Sequence, residues 1–379
     1  MNFISDYVFL NNLRLFNFKN HAEVNLTFDA PIICLVGRNG SGKTNVLDAI
    51  HYLAWSKSAF NPSDTQNIKH QETGFFLRGG FTVRNKQTEV ECVVQTVGKK
   101  ILREDGQDYT RFSEHLGKYP VVLIAPQDIE LIWDGAEPRR KFVDAILSQT
   151  DRLYLEHLIT YTHQLKQRNS LLKNFSDSGQ VDMNLLESYN VRLIESGEYI
   201  FQARHKFSMQ FATRVAQHYA NLAQAVEEQA GIHYKSDLAE SSFSQLLKNS
   251  VQRDVALQRT SVGVHRDDFV FTLNGFEIRR VGSQGQQKSF LVALKLAEFE
   301  EISTCLNLKP ILLLDDIFDK LDDYRIHRLI TLVAAGSFGQ LFITDARPDR
   351  TQSILVNAGI RARIFTIENG TFTSAWLPT

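Results

Sequence analysis

Cysteine is scarce in this sequence: Cys34, Cys92 and Cys305 are the only three among 379 residues, scattered and odd in number. A disulfide framework and a CxxC metal site are both excluded, and a reducing cytoplasm is the expected setting. Charge of one sign is also missing, because 42 Lys and Arg face 43 Asp and Glu for a net charge of −1. No global basic field exists, so any polyanionic partner must be held by a local patch. Nothing approaches the roughly 18 apolar residues of a membrane helix. Even Ile311–Leu314 runs straight into two aspartates. The first fifteen residues contain Asp6 and lack a basic segment followed by a long apolar run, so no secretory signal is expected. The 11 histidines show no HExxH spacing. Internal repeats and low-complexity tracts are absent too.

What is present is an ordinary globular composition, 43% apolar and 22% charged, in a chain too long for one ordinary core. Strand signals come first, at Val8–Phe18, Glu23–Phe28 and Ile32–Val36, and then a helical pattern over Asn45–Trp55. Further strand candidates are Phe75–Val83, Glu89–Val97, Lys100–Arg103 and Pro120–Ala125. From Glu137 to about Ala230 helical periodicity takes over, with a loop expected at Ser176–Gly179. Strands resume at Phe269–Leu273, Ile311–Leu314 and Gln340–Thr344, with helices expected over Gln286–Leu306 and within Asp323–Ala334. The pattern predicts an α/β lobe built from both ends of the chain, residues 1–129 and 259–379, around a helical lobe over 130–258.

Gly37-Arg38-Asn39-Gly40-Ser41-Gly42-Lys43-Thr44 fits G-x-x-x-x-G-K-[ST] at every position, between a predicted strand and a predicted helix. Glycines let backbone N–H groups curl around the phosphates of ATP, and the helix start adds a favourable dipole. Lys43 is expected to reach the β and γ phosphates, and the Thr44 hydroxyl to help hold Mg²⁺. The plainer alternative is a glycine-rich turn matching by chance, which the flanking strand and helix disfavour. Asp315 and Asp316 end an apolar strand. Asp315 is placed to bind Mg²⁺ and Asp316 to polarise the attacking water, although alternate residues of a strand point apart.

Gly282-Ser283-Gln284-Gly285-Gln286-Gln287-Lys288 opens a predicted helix between these two motifs. A Ser/Gly/Gln turn before a helix is usually a simple cap. Its order in the chain makes it resemble the signature of ABC ATPases. That resemblance implies an ABC-type P-loop ATPase head with an inserted α-helical lobe. It also implies that Ser283, Gln284, Gly285 and Gln286 cap the γ-phosphate held by a second copy, giving an ATP-dependent homodimer. Asp322, in Leu321-Asp322, then falls in the segment through which this class signals to its partner subunit.

Several stretches resemble the RecF family of bacterial DNA repair ATPases along nearly the whole chain. Leu13–Asn20 followed by Gly37–Asn45 looks like its opening, which adds Asn45 to the nucleotide-binding set. Pro126-Gln127-Asp128 with Pro138–Asp144 is similar to its lobe junction, and Leu165–Asn169 and Gly197–Arg204 to its helical lobe. Thr260-Ser261-Val262-Gly263-Val264-His265-Arg266-Asp267-Asp268 and Ser283–Gln287 resemble its most specific motifs. The resemblance implies ATP-dependent dimerisation on double-stranded and gapped DNA, slow DNA-stimulated ATPase activity, and help in loading recombinase with RecR and RecO. A cytoplasmic, nucleoid-associated location follows. Gln127, Val264 and Lys288 depart from the usual pattern, and Asp345 stands where transporter ATPases carry a switch histidine, which puts a γ-phosphate sensor near Thr344 in doubt.

Candidate DNA contacts are the cluster Arg139, Arg140 and Lys141, and Lys57 beyond the phosphate-loop helix. Over 139–214 there are 11 basic and 8 acidic residues, a balance that a solvated helical face explains as well. Arg139 and Arg140 also suit an internal ion-pair hub. His265 and Arg266 are expected to orient groups near the signature, or His265 to be a satisfied core histidine. Two rivals are a transporter ATPase subunit, disfavoured by the helical insertion, and an SMC-type structural protein, disfavoured by an insertion too short for a long coiled coil.

Overall fold

The computed structural model describes residues 6–223, 227–317, 338–368 and 371–376, with Ile326 and Thr331. The chain divides into two compact units, residues 1–128 with 294–379, and residues 129–293. Asp322 and the helix expected within Asp323–Ala334 lie outside the described residues, apart from Ile326 and Thr331.

The first unit opens with β1 (Val8–Phe18), β2 (His21–Thr27), β3 (Ile32–Val36) and helix α1 (Lys43–Trp55). It continues with β4 (Gly74–Val83), β5 (Lys86–Gln95), β6 (Ile101–Glu104), β7 (Gln107–Asp108) and β8 (Val121–Ile124). One sheet is antiparallel, in the order β2-β1-β4-β5-β6-β7. Its strands alternate buried and open positions, most plainly in β4, because one face meets the core. The chain returns after the second unit with β12 (Ile311–Leu314), β13 (Gln340–Asp345), β14 (Arg363–Glu368) and β15 (Thr371–Trp376). These join β3 and β8 in the order β15-β14-β3-β13-β12-β8. Strands β14, β3, β13, β12 and β8 run parallel. Central strands β12 and β13 are buried at every residue, as expected of strands covered on both faces. Helix α1 touches strands of both sheets, which is why Val46, Leu47, Ala49, Ile50, Leu53 and Trp55 are all buried.

The second unit holds α2 (Glu130–Trp133), α3 (Ala136–Thr150), α4 (Arg152–Ser178), α5 (Met183–Leu222), β9 (Ala230–Lys235), α6 (Phe243–Leu257), β10 (Asp268–Leu273), β11 (Phe276–Glu277), α7 (Ile278–Val281) and the start of α8 (Gln284–Leu306). Asp151 caps α4 by accepting from the backbone of Leu153 and Tyr154, and Asp182 caps α5 by accepting from Leu185. Gly179 ends α4 at φ 69°, a left-handed turn natural to glycine.

Two readings of the sequence change here. The second unit extends to Ala293 rather than ending at 258, because β10 pairs with β9 across six residues and draws the following hairpin into this unit. Strands β9, β14 and β15 were not expected. β9 shows little apolar alternation, with no fully buried residue. The β14–β15 pair did carry a signal, since Asn369-Gly370 stands between the two runs in the sequence and marks a hairpin.

Candidate functional site

All the motif residues of the first unit follow the carboxyl ends of parallel strands, the end at which open α/β sheets bind ligands. The phosphate loop leaves β3, Pro126 lies just past β8, Asp315 and Asp316 just past β12, and Thr344 and Asp345 end β13. They line one cleft of about 340 Å³, formed by Asn39, Gly40, Gly42, Lys43, Thr44, Asn45, Pro126, Asp315, Asp316 and Thr344. Gly37, Arg38, Asn39, Gly40 and Ser41 also line a larger neighbouring cleft with Asn20–Glu23 and Thr366–Glu368. The loop needs glycine at two positions in particular. A Cβ on Gly37 would stand 2.5 Å from the Ile367 carbonyl, and one on Gly42 2.5 Å from the His21 ring.

Inside the cleft the polar groups are held in a connected set. One Asp315 oxygen accepts from the hydroxyls of both Thr44 and Thr344, each at 2.8 Å. The Thr344 hydroxyl also accepts from the Asp316 backbone N–H at 2.9 Å. Asp316 itself sits at φ 49°, a strained backbone for a non-glycine residue beside the motif acids. Burial raises the Asp315 pKa, while hydrogen bonds from Thr344 and Thr44 and the charge of Lys43 oppose it. Burial lowers the Lys43 pKa against the pull of Asp316, Asp315 and Asp345. Lys43 donates to the carbonyls of Gly37 at 2.7 Å and Arg38 at 3.0 Å, so its ammonium lies over the loop. The buried Ser41 hydroxyl has no hydrogen-bond partner among the described residues.

Three participants escaped sequence reasoning. His21 meets the Gly42 carbonyl at 3.1 Å, Asn20 the Gly40 carbonyl at 3.4 Å, and Asn45 the Asn20 side chain at 2.6 Å. Only the β1–β2 turn brings Asn20 and His21 here, and no spacing announces that. Thr344, which the sequence offered only as a doubtful sensor position, is the third, since its hydroxyl joins Asp315 to Asp316. Asp345 is turned inward instead, accepting from Thr351 at 2.5 Å and from the Arg347 backbone at 3.1 Å.

The signature residues belong to the second unit. Helix α8 starts at Gln284, two residues before the expected start, because Ser283 caps it. The Ser283 hydroxyl accepts from the Gln286 N–H at 3.3 Å, and the Gln286 side-chain oxygen accepts from the Ser283 N–H at 2.7 Å. This reciprocal pair is a capping box. The Gln286 amide nitrogen then donates to Glu228 at 2.8 Å, and Glu228 also accepts from the Tyr219 hydroxyl at 2.5 Å. Ser283 and Gln284 remain exposed, with Gly285 half-buried beside them.

The basic cluster is corrected by its surroundings. Arg139 is only 6% exposed and is consumed internally, forking onto Asp268 at 2.8 and 3.0 Å and donating to the carbonyls of Leu131 and Asp134. It is not available to DNA. Arg140 is half-buried and donates to the Asp267 carbonyl at 2.6 Å, whereas Lys141 is exposed and paired with Glu137. Lys57 is exposed above the Trp55 ring. Arg168 and Arg204 are buried too, so the 11 basic residues of 139–214 fall to eight outside the core against eight acids. His265 is a satisfied internal histidine, between the Tyr161 hydroxyl at 2.7 Å and the Thr260 carbonyl at 3.0 Å. Arg266 beside it is exposed.

Comparison with known proteins concerns the sequence and the fold as a whole. The family model described as "RecF/RecN/SMC N terminal domain" matches residues 9–369. A DNA replication and repair protein RecF of Flavobacterium johnsoniae is 44% identical over 94% of this chain and 99% of its own length. The protein of the same name from Cytophaga hutchinsonii is 41% identical over 96% of each. Among solved structures, the recombination mediator protein RecF with ATP, of the RecFOR pathway, superposes with a TM-score of 0.88 at 28% identity, covering 99% of this chain and 100% of that one. An Smc head domain from Pyrococcus furiosus shares the fold, with a TM-score of 0.56 at 17% identity over 98% and 96%. An ATPase head with this cleft, this signature helix and these relatives has one placement: the chain belongs to the RecF family of SMC-like ATPases.

Proposed function

We propose that the chain is an ATP-driven switch of recombinational DNA repair. ATP joins two copies on double-stranded or gapped DNA, and hydrolysis parts them. The observation that carries this reading is the Thr44–Asp315–Thr344 cluster beside the phosphate loop, in a chain whose signature serine caps its helix and stays exposed.

The loop's backbone N–H groups and the Ser41 hydroxyl take the phosphates, which supplies the partner that Ser41 lacks among the described residues. Lys43 exchanges the carbonyls of Gly37 and Arg38 for β and γ phosphate oxygens. Among the described residues no cluster of three or more His, Cys, Asp or Glu could cage a metal. That fits Mg²⁺, which is commonly held by one or two protein oxygens and the phosphates themselves. Thr44 and Asp315 would supply those oxygens, and the bound ion would offset phosphate charge. Asp316 orients and polarises the water that attacks the γ-phosphorus, releasing ADP and phosphate. Ser283, Gln284, Gly285 and Gln286 close over the γ-phosphate of the other copy, with Asp322 reporting its state. RecR, acting with RecO, is the protein partner, and recombinase loading at single-strand gaps is the outcome. DNA is expected to stimulate the slow hydrolysis.

The test is a sizing measurement with ATP and Mg²⁺, with and without gapped duplex. ATP should produce a dimer and DNA should raise hydrolysis. Ser283→Arg should block the dimer while monomeric nucleotide binding persists. A wild-type chain that stays monomeric with ATP, and whose ATPase ignores DNA, sinks the reading.

A further inference from the structure

The second unit has an open cleft of about 610 Å³ lined by Asp134–Pro138, Arg140, Lys141 and Arg266. Its cations come from two separate stretches, helix α3 and the short turn Val264–Arg266. What distinguishes Arg266 is how tightly its neighbours are bound. His265 is fixed by Tyr161 and the Thr260 carbonyl. Asp267 is 3% exposed and takes hydrogen bonds from Arg204 at 3.1 Å and Tyr234 at 2.5 Å. Asp268 receives the Arg139 fork. Arg266 sits between these locked residues. Its side chain is exposed, with no hydrogen-bond or ion-pair partner among the described residues.

The charges around the cleft decide what it can hold. Lys141 is 2.6 Å from Glu137, so those two largely cancel. Asp134 brings one more acid. Arg140 spends one nitrogen on the Asp267 carbonyl and keeps its remaining donors. The balance is a modest excess of positive charge, with two guanidinium groups as donors. Guanidinium forks match phosphate oxygens in shape as well as charge. The lining is more polar than apolar and carries excess positive charge, which suits an anion better than a small neutral ligand or a metal cation.

We propose that this cleft is a contact for the phosphodiester backbone of DNA, with Arg266 as its leading cation and Arg140 beside it. The proposal rests on the reading that DNA is the partner, and it assigns part of the contact to residues of the second unit. Contact with backbone phosphates positions the duplex and carries no sequence preference. Each phosphate neutralised releases counterions, so each contact has its own signature in the salt dependence.

The experiment is titration of the full chain, with ATP and Mg²⁺, into a labelled duplex over a series of KCl concentrations. Arg266→Ala should weaken binding several-fold at low salt and reduce the slope of log affinity against log salt by about 0.9, one phosphate contact. Arg266→Glu should do more. Monomeric nucleotide binding and the thermal midpoint should match wild type, since the Arg266 side chain has no partner among the described residues. An unchanged slope in Arg266→Ala overturns the proposal, and so does a lower affinity with the slope intact, because the lost contact would then not be ionic. A slope that falls with poly-aspartate but not with duplex assigns the cleft to an acidic protein surface and overturns it equally. If wild type binds no duplex at all, the DNA reading itself has failed, an outcome distinct from a wild type that binds and an Arg266→Ala that binds the same way.

Discussion

In the first unit Lys43, Asp315 and Asp316 gather at the ends of parallel strands, around a cleft, with an apolar core behind them. The second unit puts its charges to another use, away from any nucleotide cleft. Arg139, Arg168 and Arg204 are sunk into the interior, on Asp268, Asp254, and Asp144 with Asp267. Lys43 and Asp315 are as buried as Arg139, but they line a cleft that a ligand can enter. Buried charge has lost its hydration and is retained only with a partner in good geometry. The same residue types therefore answer to different pressures, and a count of basic residues says little until burial is known.

The largest expected effect lies in the first unit. Lys43→Ala should slow hydrolysis by about 10²–10³-fold, the usual cost of losing one group that stabilises transition-state charge. Its thermal midpoint should stay near wild type, because among the described residues the Lys43 ammonium hydrogen-bonds only to the carbonyls of Gly37 and Arg38. A collapse of the fold in that variant would break the contrast between the units. Steady-state phosphate release and a thermal melt decide it.

Arg204→Met should behave in the opposite way. It leaves the carboxylates of Asp144 and Asp267 without their cation, a loss of about 3–5 kcal/mol by the measure of broken buried pairs. Urea unfolding should show it, while the exposed Lys141→Ala should stay within about 0.5 kcal/mol. Equal effects from the two would mean that the buried network is not what holds the second unit.

Acid should trouble both units alike. Burial pushes His115 in the first unit and His265 in the second down to about 4. Both are neutral in the folded chain near pH 6, whereas the unfolded chain takes up protons below about 6.5. The folded state thus binds fewer protons, and stability falls as pH drops from 6.5 toward 4. Each group should account for about 2 kcal/mol between pH 7 and 4.5. His115→Gln, measured by urea unfolding at both pH values, should reduce the difference between them. No reduction would show that His115 titrates normally.

The smallest effect concerns the signature turn. Glu228→Ala frees the Gln286 side chain from its tether and also removes the Tyr219 hydroxyl's bond to Glu228, which a Tyr219→Phe control separates. If ATP joins two copies as proposed, losing the Gln286 tether, about 1 kcal/mol, should raise the ATP concentration needed for the dimer a few-fold. Monomeric nucleotide affinity should not move. A dimer that forms as readily as wild type would remove Glu228 from any positioning role.

By itself the sequence determined the elements whose signals are local. Strands β1, β3 and β12 lie where their apolar patterns placed them, and the glycine-rich loop Gly37–Gly42 joins β3 to α1, whose first residues are Lys43 and Thr44. The likeness to RecF proteins was also legible, through motifs that need no folding to be read. Tertiary structure decided the rest. His21 and Thr344 joined the cleft because β1 turns into β2 and β13 lies beside β12, pairings no local pattern encodes. Arg139 left the list of DNA candidates because Asp268, 129 residues away, took its charge. Arg266 was left exposed because its neighbours found partners and, among the described residues, its side chain did not. Local periodicity reports which way a side chain faces along its own element, but partners far apart in the chain decide whether a charge stays in water.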